Sequence, residues 1–202
     1  MMRRAWLLAA AVFAAAFFIA APLAAGIAQP VRGAFPEPRF TSQPPFQLAV
    51  GEIEVVNRDP PTLAPPRVEH LVPLTPARAI RDWVRDRLVA TGGPNRLRVT
   101  IQRAHITETA LAQNDSSLAA AATDQQSQRY DAIAEVRLDI VDPSGHAVAT
   151  VRGIATRFQT VLRSTAPVQR DGMMYDLTMQ LIEQLAPTLS REIRSHFTAY
   201  LR

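Results

Sequence analysis

The chain has 202 residues, 22 basic and 18 acidic side chains and a formal net charge of +4, the size of one domain plus a short terminal segment. It has no cysteine, which excludes disulfides, thiol catalysis, thiolate metal sites and a lipid-bearing N-terminal cysteine. Every basic residue is arginine, so lysine-based Schiff-base and phosphate-loop chemistry is excluded. Acids and arginines alternate rather than cluster, which argues against a nucleic-acid footprint.

Arg3 and Arg4 precede an apolar stretch from Ala5 to Ala21; Pro22 breaks it, and small residues follow at Ala24, Ala25, Gly26 and Ala28. Positive charge, apolar core, breaker and small residues in that order predict a secretion signal over residues 1–28, cut after Ala28 or alternatively after Ala25. The expected location is the periplasm. The uncharged run Ala5–Ala28 could also cross a bilayer if uncleaved, which would anchor the protein in the inner membrane and give its only membrane contact. Loss of Arg3 and Arg4 lowers the net charge to about +2. Residues 29–45 hold Pro30, Pro36, Pro38, Pro44 and Pro45 and read as a flexible leader.

A single domain is expected over residues 46–202. Residues 46–57 read as the first strand, with a change of phase at Gly51 that suggests a bulge. Pro60, Pro61, Pro65, Pro66 and Pro73 then predict a long extended connection, of a length that is often functional. Thr75 and Pro76 have the character of an N-cap and first helical residue. Ala77, Ile80, Trp83, Val84 and Leu88 follow at helical spacing, and Gly92-Gly93-Pro94 closes the helix.

Residues 96–112 form the second predicted strand, with Leu97, Val99 and Ile101 inward and then a parity change to Ala104 and Ile106. The segment 113–128 is a polar, alanine-rich excursion. From Tyr130 to Ile140 apolar and polar residues alternate strictly, the plainest strand in the chain. A turn at Pro143–His146 leads to a strand over 147–162 whose two faces carry small and apolar residues alike. Residues 171–201 repeat leucine or another apolar residue every four positions, a helix in which Pro187 should cause a kink or break.

The element order is thus β-α-β-β-β-α: an α+β two-layer sandwich, a mixed four-stranded sheet with both helices on one face. The other face, rich in Arg, Glu and Thr, should meet water or a partner.

No catalytic, metal-binding or cofactor-binding pattern emerges. The four histidines stand apart at non-ligating spacings. Glu52 and Glu54 share a strand face, where pairing with Arg98, Arg137 or Arg152 explains them more simply than acid–base work. The candidates for partner binding are Leu118, at the apolar tip of the 113–128 excursion, Glu69 and His70 in the long connection, and Trp83. Trp83 is expected to line a groove between helices and sheet with Met173, Met174, Met179 and Phe158, a lining suited to apolar ligands.

The stretches FQLAVGEIEVVN (46–57), RVEHLVPLTPARAIRDWVRDRL (67–88) and QRYDAIAEVRLDI (128–140) are similar to uncharacterised exported proteobacterial proteins. The element order resembles the auxiliary lipoproteins of envelope ABC transport systems and the small lipoprotein that plugs the lipopolysaccharide-assembly barrel. That resemblance implies a non-enzymatic periplasmic module serving lipid transport or outer-membrane assembly, with an envelope protein or a lipid as partner. Two alternatives are a hydrolase using Glu52, Glu54 or His70, and a structural protein that self-associates through the exposed sheet face.

Overall fold

The computed structural model describes residues 35–112 and 124–202; the signal segment and the Leu118 tip lie outside the described residues. The fold is α+β, with a four-stranded mixed sheet in the order β2-β4-β5-β6 and two helices. Its strands are β2 (Glu52–Asn57), β4 (Arg96–Ala110), β5 (Gln126–Val141) and β6 (Ala147–Leu162). The helices are α1 (Pro76–Arg87) and α2 (Pro167–His196). β2 and β4 run parallel on either side of the connection that contains α1, and β4, β5 and β6 form an antiparallel meander.

The alternation in β5 sets the layers. Tyr130, Ala132, Ala134, Val136, Leu138 and Ile140 are all buried, and they meet Leu97, Val99, Ile101, Ala104 and Ile106 of β4 in one core. The register of β4 slips between Ile101 and Arg103, so the bulge restores an inward parity to Ala104 and Ile106. Ile80, Trp83 and Val84 of α1 close the same core together with Leu177, Leu181, Leu185, Leu189 and Ile193 of α2. Complete burial of each such side chain is worth about 1.5–3 kcal/mol.

In β6 the ambiguous pattern resolves through helix packing. Val151, Gly153, Ala155 and Val161 face inward, while Val148, Ile154, Phe158 and Leu162 are exposed. Small residues win the inner face because α2 lies close: a Cβ placed on Gly153 would stand 2.7 Å from Leu189 Cδ2.

Several expectations need correction. Residues 46–57 form two strands, not one bulged strand. β1 (Phe46–Leu48) leaves the main sheet and pairs in parallel with β3 (Leu88–Ala90). The chain bends at Gly51, where an added Cβ would come within 2.8 Å of the Gly93 carbonyl oxygen. Consequently α1 ends at Arg87 and the chain turns extended at Leu88, because pairing with β1 replaces a further helical turn. Residues 126–128, assigned to the excursion, already belong to β5.

The C-terminal helix also differs. It begins four residues earlier than expected, with Pro167 in its first turn, and it runs through Pro187 without a break. Proline removes one intrahelical bond, but Leu185 and Leu189 on either side are anchored in the core and hold the helix on line. It stops at His196; Phe197 is fully buried and Leu201 bridges back to Leu48. Gln47 and Tyr200 carbonyls accept from the Arg202 and Ala49 amides at 3.0 and 2.8 Å, so after a single 3-10 turn over Thr198–Tyr200 the tail lies beside β1 rather than continuing the α-helix.

Residues 35–45 are not a free tether. Phe35 stacks on Tyr175 with centroids 5.1 Å apart, and the Tyr175 hydroxyl donates to the Pro36 carbonyl at 2.9 Å. The Phe40 amide donates to Asp86 Oδ2 at 2.9 Å. The prolines keep this segment extended while its carbonyls face the helices. Among the described residues no helix is long and apolar enough to cross a membrane.

Candidate functional site

Three places in the fold gather chemistry: a node on the long connection, a cleft between the helices, and the outer edge of β6.

The node explains Glu69. Residues 58–74 run along β4 beyond the end of β2, with the Val68 amide donating to the Ile106 carbonyl at 2.9 Å and the Glu108 amide to Pro66 at 2.8 Å. Buried polar groups need partners, and here two carboxylates and an arginine serve one another, with only Arg67 Nη2 and Glu69 Oε2 left without a hydrogen bond among the described residues. Arg67 donates through Nε to Glu69 Oε1 at 2.8 Å and pairs with Asp59 Oδ1 at 2.7 Å. Asp59 Oδ2 accepts from the Ala104 amide at 2.8 Å and lies 2.6 Å from His105 Nδ1. Burial pushes the Asp59 carboxyl up, but the hydrogen bonds from His105, Ala104 and Arg67 outweigh it and hold the group below its usual value. Asp59 therefore acts as a side-chain plug at the β4 bulge.

Glu69 is 1% exposed and bound to Arg67 and the Thr62 amide, so it fastens the connection and offers no docking surface. His70 beside it is exposed and makes no hydrogen bond or ion pair among the described residues. The two neighbours thus do not act together. The Asp59–His105 contact spans 46 positions and is absent from any local pattern; the only hint was a long connection that had to be tied down somewhere.

Glu54 meets Arg98 at 3.1 Å, the cross-strand pairing its position suggested. Asp139 takes Arg137 at 2.8 Å and the Thr150 hydroxyl at 2.6 Å. Among the described residues no group of three histidines and acids could hold a metal ion.

The cleft, about 370 Å³, lies between α1, α2 and residues 39–43. Trp83, Met179, Ala186 and Pro187 supply its apolar wall. Trp83 is 2% exposed, so it forms the floor rather than a free contact surface. Phe158, expected in the same groove, stands on the opposite face of the sheet, because its even number in β6 turns it outward; Met174 is core.

Cations ring the cleft. Arg87 is 3% exposed, donates to the Gln43 and Pro44 carbonyls and has no carboxylate partner among the described residues. Burial and then the neighbouring Arg194 charge lower its guanidinium pKa. Arg87 and Arg194 both sit over the Phe46 ring, 5.3 and 5.2 Å from its centroid.

The third place is β6. It is the last strand of the sheet, 16 residues long, and among the described residues no strand pairs with its outer edge. Ile154 and Phe158 are 53% and 59% exposed beside that edge, and Arg129 stacks over Phe158 at 4.2 Å. The strand carries Arg152 and Arg157 and no acid.

No protein-family model matches the chain, and no curated protein is similar to it in sequence.

Proposed function

We propose that this is a non-enzymatic, exported binding module of the cell envelope, periplasmic after signal cleavage, that takes an extended strand of a partner protein on the free edge of β6. The observation that carries the reading is that long edge, unpaired among the described residues, with apolar side chains beside it. Proteins usually shield such edges with short strands, proline, charge, bulges or a cover; β6 is 16 residues long, has no proline, carries only Arg152 and Arg157 as charges, and among the described residues no strand covers its edge. Strand addition supplies affinity through main-chain hydrogen bonds and specificity through alternate side chains. A second β6 would bring only more arginine, whereas a partner strand bearing acids would complement Arg152 and Arg157.

Export is supported by the charge, apolar run and small residues of segment 1–28. Service to lipid transport or outer-membrane assembly is the role that the resemblance of element order suggests. The hydrolase alternative loses its grouping, since Glu54 is engaged by Arg98 and His70 has no carboxylate partner among the described residues.

A photo-cross-linker placed at Ile154 in the full chain, in envelope-intact cells, tests the reading. It predicts one discrete adduct from position 154, none from Leu63, which is more exposed still (81% against 53%) and lies on the 58–74 connection, and loss of that adduct with Phe158→Lys. Equal labelling from both positions, or an adduct indifferent to Phe158→Lys, would defeat it. An adduct of twice the chain mass would instead assign the edge to self-association.

A further inference from the structure

Independently of the β6 edge, we infer that the cleft between α1, α2 and residues 39–43 binds a single-chain amphiphilic monoanion, a fatty-acid carboxylate, with its head beside Arg87 and Arg194 and its tail on Trp83, Met179 and Pro187.

The charge distribution specifies the head. Fully buried arginine is rare unless paired. Arg87 satisfies donors with the neutral carbonyls of Gln43 and Pro44 and with Gln43 Oε1 at 3.2 Å, and no carboxylate among the described residues compensates its charge. Arg194 stands over the same Phe46 ring, also without an ion pair among the described residues. Two like charges converge on one aromatic group at the mouth of a cleft. Arg39, by contrast, has Glu37 at 3.8 Å and Asp86 at 4.0 Å. The remaining charged lining residue is Glu183. Among the described residues two cations without ion pairs and one acid leave a single net positive charge, which matches a carboxylate better than a doubly charged phosphate monoester.

The wall specifies the tail. Met179, Ala186 and Pro187 line the cleft over a nearly buried Trp83, and methionine adapts to flexible alkyl chains. Pro187 lacks the amide that would bond the Glu183 carbonyl four residues back, so that carbonyl is without its usual intrahelical donor. The volume of about 370 Å³ lies at the lower end of small-molecule sites and suits one alkyl chain.

Titration of the full chain with [1-13C]dodecanoate, followed by the carboxylate carbon resonance, tests this. The expected result is saturable binding of one dodecanoate per chain with a displaced resonance. Arg194→Gln, at an exposed position that spares the core, should weaken binding about tenfold or more, the loss expected for one charge-assisted contact. Glu183→Gln should tighten binding. Dodecyltrimethylammonium, of equal chain length and opposite charge, should not displace the acid. Absence of saturation, unchanged affinity in Arg194→Gln, or equal displacement by the cationic amphiphile would overturn the site. Arg87→Gln should abolish binding; because Arg87 also holds residues 43 and 44, Arg194→Gln is the deciding variant.

Discussion

Gly153 offers the sharpest test of how α2 meets the sheet. A Cβ there would lie 2.7 Å from Leu189 Cδ2 and 3.0 Å from both Leu189 Cγ and Leu185 Cδ1, well inside the 3.5–4.0 Å optimum for carbon contacts. Leu189 and Leu185 are 0% and 2% exposed, so neither has free space to swing into. Gly153→Val adds two further methyls at that point. Overpacking of this kind costs about 1–3 kcal/mol, while replacing glycine within a strand returns about 0.5–1 kcal/mol of chain entropy and β-propensity. Because neither leucine can give way, the cost lies in the middle or upper part of its range and overpacking wins; the net loss of about 1–2 kcal/mol corresponds to a fall in Tm of roughly 2–8 °C for a domain this size. Thermal and urea unfolding followed by far-UV circular dichroism would measure it. Leu189→Ala alone should cost about 2–5 kcal/mol, but in the Gly153→Val background it should cost about 0.5–3 kcal/mol less, because the valine occupies the space vacated. Gly153→Val with wild-type stability, or strict additivity of the two changes, would show that α2 does not pack on Gly153.

Asp59→Asn should destabilise the fold by about 1–3 kcal/mol at neutral pH, since Asp59 accepts from Ala104 and bonds His105 and Arg67 in a partly buried site. The folded-state carboxyl is held below its unfolded value of about 3.9. Its stabilisation is therefore present above that value and is lost as the pH falls through the folded one. Urea titrations from pH 6 to pH 2 should show a loss of stability on acidification that is smaller in the variant; identical slopes would remove Asp59 from the account. Phe197→Ala, at a fully buried position just past α2, should cost about 3–5 kcal/mol and release the Leu201–Leu48 bridge, read as faster exchange of the Ala49 amide.

The sequence foretold the layers where one period dominated. Tyr130–Ile140 alternate so strictly that their inward face follows from spacing alone, and the Thr75 cap is real, its hydroxyl accepting from the Arg78 amide at 3.2 Å. Legibility failed where partners far along the chain decide the outcome. Leu88–Ala90 carry a helix-compatible pattern but are drawn into extended form by Phe46–Leu48. The four-residue repeat that reaches Leu201 is interrupted because Phe197 turns into the core and the tail is captured by β1. Val148, Ile154 and Phe158 looked as fit for the core as Val151 and Ala155; close approach of α2 selects the small set. Of the partner-binding candidates, Trp83 does line a cleft, whereas Glu69 is a buried tie. The cations of that cleft, Arg87 and Arg194, belong to two helices 107 positions apart and read in sequence as ordinary surface charges.

The free edge of β6 is best measured by amide hydrogen exchange on the purified protein. In an unpaired edge strand every second amide points away from its neighbour, so alternate amides from Val148 to Thr160 should exchange orders of magnitude faster than those between them and those of β4 and β5. Uniform slow exchange along β6 would mean that the edge is already covered, and would contradict a strand left open for a partner.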